Sequence, residues 1–355
     1  MPPSARSLAK KKPSLNEIAL AVGCSKMSVS YALRNDQRIS SALRQRIVRV
    51  ARRLGYTPDA ALSAVMSHVR KASNRNILPI AWINTDDRRE DLWRNKVNLI
   101  PYFQGAQARC AAFGYRLDEL WLCEPGMTEH RLSRILYQRG IKGVIIAPPD
   151  RLRIRHIRLD WEYFAAVSFT QAIFPKLYRV THDDYYNISL VLKLLRHNGY
   201  RRIGFCINQQ DYYRSRQIYA AALSFFHTQI PPRERVPLVI HTHSEIAGDK
   251  FLGWLKRYEP DVVVGKHHGL LRWIESSGLS VPDDVGVVHL GLEGDCDDWA
   301  GIISHKREVG ALAVERVVSL ININQFGLPD ISQDILIPGR WKKGNTLRIP
   351  KKACT

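Results

Sequence analysis

The chain is poor in the patterns that mark membranes, export, metal binding and catalysis. Its 355 residues contain no run of about eighteen apolar residues, so nothing reads as a transmembrane helix. The opening stretch MPPSARSLAKKKPS has no apolar segment of the kind a secretory signal needs, and export is not expected. There are only six cysteines, at 24, 110, 123, 206, 296 and 354, with no Cys-x-x-Cys pair. Four of them sit among apolar neighbours, where cysteine acts as a small hydrophobe, and the pattern suits a reducing cytoplasm. His241-x-His243 and His267-His268 are close pairs, but neither belongs to a set with zinc spacing, so no metal or other cofactor is expected. No Gly-rich phosphate loop, Gly-x-Ser-x-Gly elbow or His-Glu-x-x-His motif occurs, and the chain is not expected to be an enzyme.

Acidic residues are also scarce. The chain has 53 Lys and Arg against 33 Asp and Glu, a formal charge of +20. Residues 1–75 hold fifteen of those cations and only three acids, Glu17, Asp36 and Asp59, so more than half the excess lies on about a fifth of the chain. A charge run alone is usually a solvated face. Here it coincides with a local pattern. Ser14 followed by Glu17 is a capping-box signature, Ile18, Ala19 and Val22 give the helix an apolar face, and Gly23 suits a left-handed stop. Ser25 opens a second helix with Val29 and Leu33 inward. Two short helices across a tight turn, on a basic segment, form the unit that lays its second helix in a DNA major groove.

The rest of the chain alternates strand-like and helix-like runs. Strands are expected at 77–84, 116–122, 142–149, 201–207, 236–242, 261–265 and 285–291. Helices are expected at 100–115, 128–140, 184–197, 213–228, 245–258, 268–277 and 307–324. This β-α-β rhythm predicts parallel sheets covered by helices on both faces.

Residues 14–66 resemble the DNA-binding headpiece of the lactose-repressor (LacI/GalR) family. Ser14, Ile18-Ala19, Ala21-Val22-Gly23-Cys24-Ser25, Ser28-Val29-Ser30, Leu54-Gly55-Tyr56 and Pro58-Asp59 follow the family pattern in order and without gaps. HNGYRRIGF (197–205), EPDVVVG (259–265) and VPDDVGVVHLG (281–291) resemble further landmarks of the same family. The resemblance implies an α/β protein with an N-terminal all-α helix-turn-helix headpiece and a two-lobed, periplasmic-binding-protein-like body of parallel sheets flanked by helices. The divisions implied are a headpiece at 1–57, a hinge helix and linker at 58–76, and a body at 77–355. Within the body, lobe 1 takes about 77–181 and 305–332, and lobe 2 about 182–304 and 333–355, with crossings near Asp183, Ser304 and 333–340.

Carried over by position, the base-reading residues are Lys26, Met27 and Tyr31. Lys26 can donate to guanine, Met27 can touch a thymine methyl, and Tyr31 stands where the family commonly has arginine. Ser14, Ser25, Ser28 and Ser30 take phosphate-contact positions, two of them doubling as helix caps, and Arg34 follows on the same segment. In the hinge helix, Ala60 and Ser63 face the groove, and Val65, aided by Met66, replaces the leucine that wedges between base pairs. A face of Leu62, Val65 and Met66 packing on the core or on a partner helix is the competing reading there.

For the effector the resemblance implies a cleft between the lobes, with Arg216 as the arginine that grips ligand oxygens and Arg214 two residues away. Sugar-binding members carry carboxylates where this chain has Lys266-His267-His268 and His289-Leu290-Gly291. His267, His289, Trp93, Tyr213 and Trp299 are the remaining candidates, the aromatics as stacking faces. A sugar or sugar acid is the candidate ligand; an anionic or unusual carbohydrate-derived ligand fits Lys266, Arg216 and the histidines somewhat better than a neutral sugar. The partners implied are a palindromic operator in double-stranded DNA, a small effector and a second copy of the chain, with no membrane. The function implied is a cytoplasmic transcriptional regulator, a repressor by family habit. A solute-binding protein of a transport system would share the body, but it leaves the headpiece unexplained.

Overall fold

The computed structural model describes residues 13–33, 39–56, 77–86, 99–149, 155–242, 249–293 and 298–348. Arg34, Ala60, Ser63, Val65, Met66 and Trp93, and with them the hinge helix and linker, lie outside the described residues.

Three helices make the headpiece: α1 (Leu15–Val22), α2 (Lys26–Leu33) and α3 (Ser41–Leu54). The capping box is formed at both ends, Ser14 N–H donating to Glu17 Oε2 at 2.7 Å and Glu17 N–H to Ser14 Oγ at 3.3 Å. Gly23 closes α1 at φ 75°, a conformation that costs glycine nothing and lets the chain reverse into α2 within three residues. Ile18, Ala19 and Val22 meet Val29, Ala32, Ile47 and Ala51 in one small core.

The body has two six-stranded sheets. The first comprises β1 (Leu78–Asn84), β2 (Tyr115–Trp121), β3 (Gly143–Ile146), β5 (Ala165–Ser168), β7 (Tyr178–His182) and β13 (Asp334–Ile337), in the order β13-β7-β5-β3-β1-β2 and parallel throughout. A short ribbon of β4 (Arg155–His156) and β6 (Ile173–Phe174) lies outside it. The second sheet comprises β8 (Ile203–Asn208), β9 (Val239–His241), β10 (Val262–Gly265), β11 (Gly286–Leu292), β12 (Ala300–Ile303) and β14 (Arg340–Lys342). Its order is β14-β12-β11-β10-β8-β9, with only β14 antiparallel.

Both faces of each sheet are covered, which is why their strands read as continuous apolar runs. In the first, α4 (Ile100–Ala112) and α11 (Lys306–Asn322) pack on one face, and α5 (Glu129–Gln138) contributes Leu132 and Leu136 to the other. In the second, α6 (Asp184–His197) and α8 (Ile218–Thr228) lie on one face, α9 (Asp249–Tyr258) and α10 (Leu270–Glu275) on the other.

The chain passes between the sheets at 183, at 304–305 and at 338–339. Asp183 N–H donates to the Ile337 carbonyl at 2.9 Å and Gly339 N–H to Asn187 Oδ1 at 2.7 Å, so the first and third crossings are bonded to each other. The third differs from the expected boundary at 332: β13 pairs with β7, so 334–337 belongs to the first lobe. The helix expected at 213–228 is broken. Short α7 (Gln209–Arg214) ends before α8, and Arg216 and Gln217 between them stand at φ 52° and 63°.

Candidate functional site

The headpiece presents one end of α2. Val29 and Ala32 are spent on the core, which leaves Ser25, Lys26 and Met27 exposed at the helix start, Met27 at 62%. Ser25 Oγ accepts from Ser28 N–H at 3.0 Å and lies 2.9 Å from Ser28 Oγ, so both hydroxyls are held at the N-terminus of α2. Tyr31 and Ser30 are half-buried on the same helix. Arg52 and Arg53 occupy the last turn of α3, where cations complement the carbonyl end of the helix.

The second site lies at the C-terminal ends of the strands, where the two lobes face each other. Tyr102, on the first turn of α4, bonds His182 across 2.6 Å, from its hydroxyl to Nε2. Burial pushes the Tyr102 hydroxyl above its ordinary range, so it keeps its proton. Burial likewise pushes His182 down to about 4, with Lys266 and Lys306 reinforcing the fall and Asp184 opposing it. The ring is held neutral between the Tyr102 hydroxyl and the Ser304 backbone.

Asp184, the first residue of α6, receives the Tyr219 hydroxyl at 3.2 Å and the Lys266 ammonium at 3.5 Å. Burial works against the charge on Lys266, but Asp184 and Tyr219 outweigh it and hold the ammonium well above its ordinary pKa. Glu293, after β11, accepts from Ser304 Oγ at 3.1 Å and from Lys306 N–H at 3.2 Å, with the Lys306 ammonium 3.6 Å away. Arg214 reaches from the second lobe to the Pro149 carbonyl of the first, at 3.4 Å.

His289 on β11 is 1% exposed, stacked at 4.3 Å on His268 and met edge-on by Trp299 at 5.4 Å. Burial, then His268 and Lys306, push it down to about 3. Its Nδ1 accepts from Gly291 N–H at 3.1 Å, so the ring proton sits on Nε2, which faces the Lys266 backbone.

The expected ligand residues thus divide. His289 and Trp299 are brought together, beside Lys266 and Lys306. Arg216 is exposed and lines a pocket of ≈ 150 Å³ with Ser168, Thr170, Gln171, Lys176 and Arg179. Tyr213 is 53% exposed and packs edge-on against Tyr212. His267 is placed elsewhere: it stacks on Trp273 at 4.5 Å and stands edge-on to His241, on the α9–α10 side of its sheet. Sequence reasoning passed over Tyr102, His182, Asp184, Tyr219 and Lys306, because each lies in an otherwise ordinary helix or strand end. The double acid Asp183-Asp184 at a crossing was the only local signal. Among the described residues no group of three or more metal-ligating side chains occurs, and no helix is long and apolar enough to cross a membrane.

Residues 14–59 match the family described as bacterial regulatory proteins, lacI family, and residues 192–346 match the periplasmic binding protein-like domain. The chain is thus similar to the lacI family of bacterial regulatory proteins over its headpiece and to periplasmic binding protein-like domains over much of its body. The HTH-type transcriptional regulator GntR of Escherichia coli K12 is 31% identical over 137 residues, which are 39% of this chain and 37% of that relative's length. Among solved structures, the lac repressor dimer bound to operator and an anti-inducer superposes with a TM-score of 0.55 at 16% identity, over 95% of this chain and 99% of that one. The regulator CelR in complex with cellobiose gives 0.54 at 16% identity, covering 94% and 100%. A LacI-family regulator from Enterococcus faecium with bound ribose gives 0.53 at 15%, covering 77% and 100%. At these identities the structures establish the shared fold.

Proposed function

We propose that this chain is a cytoplasmic, non-enzymatic transcriptional regulator that binds a palindromic DNA operator as a homodimer and is controlled by a small carbohydrate-derived ligand held between its lobes. The observation that carries the reading is the capped, basic helix-turn-helix, whose α2 leaves Ser25, Lys26 and Met27 exposed. One headpiece reads a half-site, and two-fold symmetry matches a palindrome. Lys26 and Met27 supply direct readout, and the serines fix register on phosphates. The lac repressor dimer bound to operator, and relatives bound to cellobiose and ribose, support dimer, operator and sugar-like ligand alike.

Control would run through the crossings. A ligand that prefers one degree of lobe closure shifts the separation of the two headpieces, and it does so only by its difference in affinity for the two states. A solute-binding protein would have no use for the headpiece. Selection of bound genomic fragments with the full-length protein tests the reading: enrichment of a two-fold symmetric site supports it, and recovery of random fragments contradicts it.

A further inference from the structure

Resting on the reading of the chain as a DNA-bound regulator, we propose that one flank of the first lobe is a second, sequence-independent contact surface for duplex DNA, which grips phosphates in the DNA flanking the operator. The body, residues 76–355, carries 38 Lys and Arg against 30 Asp and Glu, a net charge of +8. Residues 130–158 hold eight of those cations and a single acid, Asp150, so +7 of that charge lies on about a tenth of the body. Acids resume only at its borders, with Glu129 on one side and Asp160 and Glu162 on the other.

Folding gathers this stretch onto one surface. Helix α5 and the segment 155–160 form one layer against the sheet: Leu132, Leu136, Ile157 and Leu159 share a core, and Asp160 N–H donates to Ser133 Oγ at 3.0 Å. Strand alternation turns His156 and Arg158 outward as Ile157 and Leu159 turn in. The outer side of α5 exposes His130 and Arg134, and Arg139 and Lys142 follow it, also exposed.

These cations are not spent on the fold. Among the described residues Arg134, Arg139, Lys142 and Arg158 make no ion pair, while elsewhere in the body Arg109 pairs with Glu315, Arg179 with Asp334 and Arg196 with Glu234. Lys142 lies 5.9 Å over the Phe326 ring, and Arg131 donates to the Gly126 carbonyl at 3.0 Å. Like charges gathered without acids between them repel, and a polyanion relieves that cost. Position supplies the polyanion. The linker from the headpiece reaches the first lobe at Ile77, and Ile80 of β1 pairs with Gly143 of β3. Lys142 and the last turn of α5 therefore lie at the end of the lobe where the linker arrives, and DNA held by the headpiece is tethered there. An acidic protein is the other polyanion to weigh. A protein interface needs a desolvated apolar centre, and the only large apolar side chain exposed among the flank's described residues is Tyr137, which packs edge-on to Tyr163 at 5.2 Å.

The test is fluorescence anisotropy of the full-length protein, as salt is raised, on duplexes of about 20 and about 60 base pairs carrying the selected palindrome or a scrambled sequence. On the long duplexes of either sequence, the triple variant Arg134→Gln, Arg139→Gln, Arg158→Gln should bind roughly tenfold or more weakly than the parent at about 50 mM salt. Its log–log salt slope should be shallower by about 2–3, close to one for each phosphate released. On the short palindrome the two proteins should agree within about twofold. Lysine at the same three positions should recover most of the loss, because a phosphate accepts an ammonium as a point charge. A second-lobe variant lacking as much charge, Lys193→Gln, Arg201→Gln, Lys256→Gln, should match the parent on every duplex. Melting temperatures report whether the variants fold. If the triple variant does not, Arg134→Gln and Arg158→Gln singly carry the test, each expected to lower the slope by about 1. Parent-like binding of the flank variants to the long duplexes would overturn the inference and leave the flank to an acidic protein. An equal loss on the short palindrome, or in the second-lobe variant, would overturn it too. The scrambled duplexes require no operator, so such a failure is separable from failure of the regulator reading, which the genomic selection decides.

Discussion

His182 is held neutral by burial, with Lys266 and Lys306 adding to it, down to about 4, and His289 by burial, then His268 and Lys306, down to about 3. In the unfolded chain both rings would protonate near the ordinary 6.5. The unfolded state therefore binds more protons between about pH 6.5 and 4, and stability falls as the pH is lowered through that window. Each ring contributes on the order of 2 kcal/mol to the decline. Melting temperatures measured between pH 4.5 and 7.5, in roughly unit steps, should rise toward neutrality, and His182→Gln should flatten the rise. A variant with the same slope as the parent would show that the acid limb has another origin. At the same scale, Ser14 accepts from Glu17 N–H at the start of α1. Ser14→Ala should cost about 1 kcal/mol, read from denaturation of the headpiece region by hydrogen exchange. The capping box was legible because it is a four-residue code. The pairing of Tyr102 with His182 was not, since 80 residues of chain separate them.

Among the elements, α4 and α11 approach most closely. A Cβ on Gly105 would lie 1.8 Å from the Arg307 carbonyl oxygen, and one on Gly310 would lie 2.0 Å from that of Tyr102. Neither contact can be relieved by rotating a side chain, because both partners are backbone. Gly310→Ala should therefore destabilise by about 1–3 kcal/mol or more, seen as a fall of several degrees in melting temperature. It should also displace Tyr102, on the facing turn of α4, and so weaken ligand binding. Unchanged stability would mean that the two helices are free to separate. The strands and helices named from the sequence recur with ends shifted by a few residues, because buried parallel strands and amphipathic helices leave strong local patterns. Two features left no such trace. The break at Ser215-Arg216-Gln217 contains neither proline nor glycine, so nothing in the sequence marks it, although Arg216 and Gln217 stand in the left-handed region. Strand β13 is not among the strands read from the sequence, and its membership of the first sheet is a matter of topology, so the lobe boundary expected at 332 falls before it, although the crossing at 338–339 lies within the expected 333–340.

For the molecule as a whole, charge and fold divide the labour. Fifteen cations against three acids on residues 1–75 favour phosphate, and in the function proposed above the two-lobed body would hold the ligand and its crossings would carry the signal. Both parts were visible in the sequence, the headpiece as an ungapped motif and the body as a rhythm. The chemistry of the cleft was visible only in part. Lys266 and His289 stand out as departures from a sugar-binding pattern, but the carboxylates Asp184 and Glu293, paired with Lys266 and Lys306, come together only in three dimensions. The most direct test of the central claim is the affinity of the full-length protein for its selected palindrome, measured by fluorescence anisotropy as salt is raised. The prediction is tight, sequence-dependent binding that weakens about a thousandfold or more between roughly 50 and 200 mM salt, as release of counterions from six or more phosphates requires. The selected and a scrambled duplex should differ by at least about a thousandfold at fixed salt. Equal affinity for the two duplexes, or affinity indifferent to salt, would contradict the account.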